Sequence, residues 1–262
     1  MSKRPIRILS NLARAGGTLI SRCVGAMDNI VLLSEIHPLD QRFFNPLAQA
    51  QDWYRLLRPE DTGGRTFSFI QAIQLIEQRC SEQGKTLIIR DWAHLDFIGI
   101  PFIAHPARRL LLTEQLAQVF TVSQHALTRH PVDQWLSTSR LDIMRGHLEL
   151  DAFLAGYRQF AEQCSKTGFT RYEDFARDPL SEMRTLCTQL ALEFDARFID
   201  RWHSNRHVTG DLSGSSRGSR LGRITPLPQL PVDPDLLRRF RRNRDYREAI
   251  AMLGYHDPPE HT

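Results

Sequence analysis

The sequence predicts an α/β fold of three layers, a central parallel sheet with helices on both faces. Three observations predict it. Short apolar, β-branched runs alternate with stretches of helical periodicity from residue 6 to about 192, the pattern of strand–helix–strand units. Ile30–Leu33 and Thr86–Ile89 are continuous apolar runs, as strands covered on both faces require. Glycine-rich or polar clusters follow the strand candidates, at the carboxyl ends where such sheets bind ligands.

Ile6–Asn11 is the first strand, and Gly16-Gly17 follows it at once. Thr18 opens a helix with Leu19, Ile20, Cys23, Val24 and Met27 on its apolar face. After the strand at 30–33, residues 66–82 place Phe67, Phe69, Ile70, Ile73, Ile76 and Cys80 at helical spacing. The strand at 86–89 is followed by another at 124–128, which ends at Arg129-His130-Pro131. Pro131 starts a helix. Residues 151–164 form the next, with Phe153, Leu154, Tyr157, Phe160 and Ala161 on one face, then a short strand at 169–172. Pro179 suits the first turn of a further helix, and Asp178 before it is its N-cap. Residues 207–232 are rich in Gly, Ser, Arg and Pro with little periodicity and are read as a mobile loop. A basic C-terminal helix over 233–253 ends at Gly254. With 262 residues and no internal repeat, the chain is read as one domain, 1–262.

Charge is informative by region. The net is +4, but residues 214–247 hold nine arginines against three acids, so the remainder is slightly acidic. A local basic block suits an anionic partner; it is equally the solvated face of a helix in a chain with 31 arginines and 3 lysines. It lacks the interleaved aromatics of a single-strand platform and any DNA-reading motif, so nucleic acid is not expected. Cys23, Cys80, Cys164 and Cys187 form no CxxC pair, which supports neither a zinc site nor a disulfide framework. No apolar run reaches the ~18 residues of a membrane helix, and no apolar stretch follows the N-terminal charges. The expected location is the cytoplasm.

Three clusters carry chemistry. Asn11–Thr18 runs from strand through glycines into a helix start, where outward N–H groups with partial positive charge cradle an anion. A Walker A loop requires a lysine before the hydroxyl residue and an upstream glycine; both are missing, which disfavours ATP or GTP hydrolysis. On its own the loop is as readily a tight strand–helix turn. In Arg129–Ser137 a guanidinium closes a strand and a hydroxyl follows two helical turns later, a pairing suited to phosphate, or else a surface arginine and a helix-face serine. Arg171–Pro179 reads as a strand end, a turn and a capped helix.

In this order the three resemble the PAPS-dependent sulfotransferase family, with a P-loop-NTPase-like architecture. There the first loop, of the form [KR]-[SAG]-G-[TS]-[TS], cradles the 5′-phosphosulfate. Arg14-Ala15-Gly16-Gly17-Thr18 resembles the variant of bacterial members and of the tyrosyl-protein-sulfotransferase-like branch. Arg129 and Ser137 are similar in type and spacing to the family's 3′-phosphate pair, and Tyr172-Glu173-Asp174 to its Tyr-Glu-Asp/Glu strand end. The resemblance covers residues ~6–192. Leu19 stands where the family has a second hydroxyl residue, and His130 where it has an acid.

The resemblance implies sulfuryl transfer from PAPS to an acceptor hydroxyl or amine, leaving PAP, with no metal. Glu35, at the end of the second strand, matches the place of a carboxylate base; His37 resembles a histidine alternative in type only. Arg14, with the N–H groups of Ala15 to Thr18, is implied in stabilising the leaving group. Arg129, Ser137 and Tyr172 are implied on the nucleotide, joined by Arg217 or Arg220 from the 207–232 loop. Arg90, His37 and His94 are implied on the acceptor side, with Trp92 and Phe97 either lining it or packing. A small molecule, a carbohydrate or a peptide all suit as acceptor. The rivals are a nucleotide-dependent kinase and a non-catalytic anion- or polysaccharide-binding protein on the same fold.

Overall fold

The computed structural model describes residues 3–39, 43–210 and 223–258. Five strands, β1 (Arg4–Asn11), β2 (Ile30–Ile36), β3 (Thr86–Asp91), β4 (Phe120–Thr128) and β5 (Phe169–Arg171), form one sheet in the order β2-β3-β1-β4-β5. Every pairing is parallel. Parallel neighbours need crossovers, and helices fill both faces, completing the three layers the alternation predicts.

Strand alternation divides the core. Ile6, Ile8, Val31, Leu33 and Ile89 pack on one face against Ile73 and Ile76 of the helix Phe69–Glu82. Leu9, Leu32, Ile88 and Leu127 face the other way, against Ile20, Cys23 and Val24 of the helix Gly17–Gly25 and Met183 and Leu186 of the helix Pro179–Gln189. A third cluster joins the helix Leu150–Thr167 to the C-terminal helices through Phe153, Tyr157, Phe160, Leu237, Phe240 and Tyr246. Truncating any of these fully buried aliphatics to alanine costs roughly 2–5 kcal/mol.

Register sets the functional end. Ser10 pairs with Asp91 and with Ala126, and Asn11 with Leu127, so β1, β3 and β4 end nearly level. β1 lies between β3 and β4, where the strand order reverses, and its carboxyl end opens into the crevice that such sheets use for ligands.

Several boundaries differ from the sequence reading. β4 begins at Phe120, earlier than the reading at 124–128: its first residues, where polar Thr121 and Ser123 alternate with Phe120 and Val122, pair with Arg4–Arg7 and, beyond Phe120, are exposed or only partly buried. Tyr172 does not end β5 but opens a short helix, Tyr172–Arg177. The basic C-terminal helix is two, Pro234–Arg242 and Arg244–Leu253, because Asn243 takes an extended conformation and its side chain caps the second helix at the Tyr246 N–H. The cap at Asp178 and the stop at Gly254 stand as expected.

Candidate active site

The cradle is built by three backbone conformations. Arg14 (φ 66°) and Gly16 (φ 86°) turn left-handed, and Gly17 starts a helix without a side-chain cap among the described residues and without an acid in its first turn. The first bond into the helix runs from the Ile20 N–H to the Gly16 carbonyl. The N–H groups of Gly17, Thr18 and Leu19 therefore have no intrahelical partner and present partial positive charge. Ala15 is not among them: its N–H turns back to the Leu12 carbonyl (3.3 Å), which corrects the expectation that the donors begin there. A side chain at either glycine would crowd a neighbour. A side chain at Gly16 would collide with the Tyr172 ring, and one at Gly17 with the Asn11 amide.

On one side of the cradle stands a cationic group. Arg14 Nε donates to Ser137 Oγ (2.9 Å), and Arg129 donates to the Arg14 carbonyl (3.4 Å). The Arg129 guanidinium lies over the Tyr172 ring, 5.3 Å from its centroid, and its buried Nε has no partner among the described residues. Its backbone is fixed: the Tyr157 hydroxyl donates to the Arg129 carbonyl (2.7 Å), and the neighbouring His130 N–H donates to Glu173 (2.8 Å). Arg14, Thr18, Arg129 and Tyr172, expected apart along the chain, thus line one cavity of about 270 Å³, with Ser137 bonded to its wall. That volume lies near the lower end for small-molecule sites.

On the other side, Glu35 and Arg90 form an ion pair of 2.6 Å at the ends of β2 and β3. Glu35 holds a left-handed φ of 57°, and the β2–β3 register shifts between Leu33 and Ile36. This bulge aims the carboxylate into the cavity. Arg90 is almost wholly buried, and its Nε and Nη1 have no partner among the described residues. The next residue, Asp91, accepts from Ser10 Oγ (3.2 Å), and burial and the nearby Asp96 push its carboxyl well above the usual range.

A strap crosses between the two sides. The Thr209 carbonyl accepts from Thr18 Oγ1 (3.4 Å) and from Arg90 Nη2 (3.5 Å). Gly210, at φ 107°, lies so close that a side chain there would meet Thr18 Oγ1. Thr209 is anchored on Ser34, whose Oγ accepts its N–H at 3.0 Å.

Neither histidine expected on the acceptor side, His37 or His94, is among the residues that line the cavity. His37 is fully buried, with Nε2 at 3.1 Å from Asp96 and Nδ1 accepting from the Leu39 N–H, so neither nitrogen faces a substrate. His94 is buried against the Ile100 carbonyl (3.0 Å), and burial lowers its pKa to about 4. Phe97 packs in the core on Phe160, while Trp92 joins Phe44 and Phe102 in an aromatic cluster. Arg217 and Arg220, and residues 211–222 of the expected mobile loop, lie outside the described residues. Arg22 also lines the cavity and was missed. Its place one helical turn after Thr18 is the signal that finds it. Trp202 and Leu227 reach the cavity from distant segments, with no local signal. Among the described residues, four arginines, Arg14, Arg22, Arg90 and Arg129, and one carboxylate, Glu35, line the cavity, a balance that favours an anion. Among the described residues no cluster of three or more His, Cys, Asp or Glu forms a metal site, and no helix is long and apolar enough to cross a membrane.

The fold is shared with solved sulfotransferase domains. The chain superposes on the sulfotransferase domain of the Synechococcus PCC 7002 olefin synthase with a TM-score of 0.60 at 17% identity, covering 98% of this chain and 97% of that one. It superposes on the sulfotransferase domain from the curacin biosynthetic pathway with a TM-score of 0.62 at 14% identity, covering 98% and 100%. The sequence matches no family model and no curated protein.

Proposed function

We propose that this chain is a PAPS-dependent sulfotransferase that moves a sulfuryl group onto an acceptor hydroxyl or amine. The observation that carries the reading is the single cavity joining an uncapped helix start, the Arg14–Ser137–Arg129 group and the Glu35–Arg90 pair. The fold shared with sulfotransferase domains supports it. The donor set fits a nucleotide carrying separate anionic groups: Arg14, Thr18 and the helix-start N–H donors for the 5′-phosphosulfate, and Arg129 with Ser137 for the 3′-phosphate. No lysine stands in the cradle, which speaks against ATP.

PAPS supplies the activated sulfuryl group and a stable leaving group. The protein's part is positioning and charge, as in phosphoryl transfer. Glu35 accepts the acceptor's proton at the carboxylate that Arg90 orients. Thr18, Arg14 and the helix N–H groups stabilise charge where the bond to the leaving oxygen breaks. Small-molecule, carbohydrate and peptide acceptors remain candidates.

Thermal melts with PAP, AMP and ATP, run beside an acceptor screen with labelled PAPS, test this reading. PAP at ~100 times its dissociation constant stabilises by about 2.7 kcal/mol and AMP by far less. Equal shifts from the three nucleotides, or stronger stabilisation by ATP together with ATP hydrolysis, overturn it.

A further inference from the structure

Gln49 grips the peptide group on each side of one residue of β2. Its Oε1 accepts from the Ser34 N–H at 2.7 Å, and its Nε2 donates to the Ser34 carbonyl at 2.8 Å. One step upstream, the Tyr54 hydroxyl accepts from the Leu32 N–H (3.1 Å) and donates to the Leu32 carbonyl (2.9 Å). β2 is the edge of the sheet, and Leu32 and Ser34, two residues apart, turn their peptide groups to that open edge. Two side chains thus stand in for a further strand.

The two grips are not equivalent. Leu32 lies in regular register with Ile88, whereas Ser34 lies inside the irregular stretch between Leu33 and Ile36 and directly precedes Glu35. A left-handed glutamate at φ 57° is a strained conformation that persists only when its surroundings hold it. A strand end free to relax by one residue would turn the Glu35 carboxylate to the other face of the sheet. With both Ser34 bonds fixed by a buried amide, that slip is closed. The same serine seats the strap, through Ser34 Oγ to the Thr209 N–H (3.0 Å) and to Thr209 Oγ1 (2.8 Å).

We propose that Gln49, which does not line the cavity, is a positioning residue for Glu35: its two bonds to Ser34 hold the bulge that aims the base. The inference rests on the reading of Glu35 as the base. Gln49→Met keeps the length of the side chain and removes both bonds, and Tyr54→Phe removes the matching pair at Leu32 as a control for mere edge cover. Gln49→Met lowers kcat by ~10²-fold, the scale of a displacement of about 1 Å at a reacting group, while the PAP dissociation constant stays within about twofold. Tyr54→Phe lowers the melting temperature and leaves kcat within about twofold. If Gln49→Met does not fold, Gln49→Glu, which keeps the acceptor for the Ser34 N–H and loses the donor to the Ser34 carbonyl, carries the same expectation in the same direction. Equal kcat losses in the Gln49 and Tyr54 variants, following their stability, overturn the proposal. A crystal structure of the Gln49 variant decides independently of turnover: residue 35 leaves the left-handed region and the ion pair with Arg90 opens, whereas an unchanged bulge overturns the assignment. A wild-type protein that transfers no sulfuryl group would refute the transferase reading, and the variant's structure would still decide the positioning role.

Discussion

Arg14 Nε donates to Ser137 Oγ across 2.9 Å, joining the glycine loop to a helix 123 residues away. The resemblance to the sulfotransferase family implies these residues at opposite ends of a nucleotide, but the fold makes them neighbours. A serine that orients an arginine contributes through it as well as directly.

The two residues are therefore expected to be coupled. Ser137→Ala and Arg14→Ala each weaken PAP binding, and the second substitution costs much less once the first is made. Contacting residues typically show interaction energies of about 0.5–3 kcal/mol. Titration calorimetry on the two single variants and the double variant measures it. Strict additivity would mean that the serine serves the nucleotide without involving Arg14.

Gly16 and Tyr172 form a second coupled pair. Alanine at 16 suffers twice, from a φ of 86° and from collision with the ring beneath the Arg129 guanidinium. Gly16→Ala is expected to weaken PAP binding by at least tenfold by displacing that ring. Adding Tyr172→Ala removes the collision and leaves the backbone strain, so the double variant recovers part of the loss. A double variant weaker than the product of the two single effects would separate the ring from the cradle.

Glu35→Gln separates binding from chemistry. The amide keeps the shape of the side chain and loses its capacity as a base, so PAP affinity changes little while turnover falls by ~10²–10⁴-fold. Single-turnover kinetics with saturating PAPS give the chemical step directly. Near wild-type turnover would remove Glu35 from the role, and the burial of His37 on Asp96 leaves that histidine no claim to it.

The sheet, its two-sided burial and the cradle were legible because each is written locally. Leu9 and Ile88 belong to short apolar runs, and Gly16-Gly17 follows a strand end. The arginine at 129 and the cap at 178 are legible for the same reason. What escaped depends on tertiary contact. Nothing near His37 in sequence announces Asp96, 59 residues away, which draws its ring into the core. Helices such as Pro46–Asp52 and Leu111–Leu116 are too short for periodicity to mark them, so Gln49 and its grip on Ser34 were invisible. The break at Asn243 within the expected 233–253 helix has no proline or glycine to mark it. Only its extended backbone reveals the break.

Acid stability carries a signature of the buried histidines. His125 is buried in the sheet with Nε2 on Thr170 Oγ1 (3.0 Å) and Nδ1 without a partner among the described residues, and burial lowers its pKa to about 4. The unfolded chain takes up that proton near pH 6.5. Between about pH 4 and 6.5 the unfolded state therefore binds more protons at this site, so its contribution to stability rises with pH and is lost on acidification. His94, lowered to about 4 by burial, acts in the same direction. Asp91 acts in the opposite one: its raised pKa lets the fold keep a proton that the unfolded chain releases, a contribution lost as pH rises. The wild-type curve mixes these effects, but the difference between wild type and His125→Gln isolates one of them. From pH 7 to pH 4 that difference in unfolding free energy is expected to move in favour of the variant by about 3 kcal/mol. Urea unfolding at a series of pH values measures it. Two parallel curves would mean that His125 takes up its proton as readily in the fold as out of it.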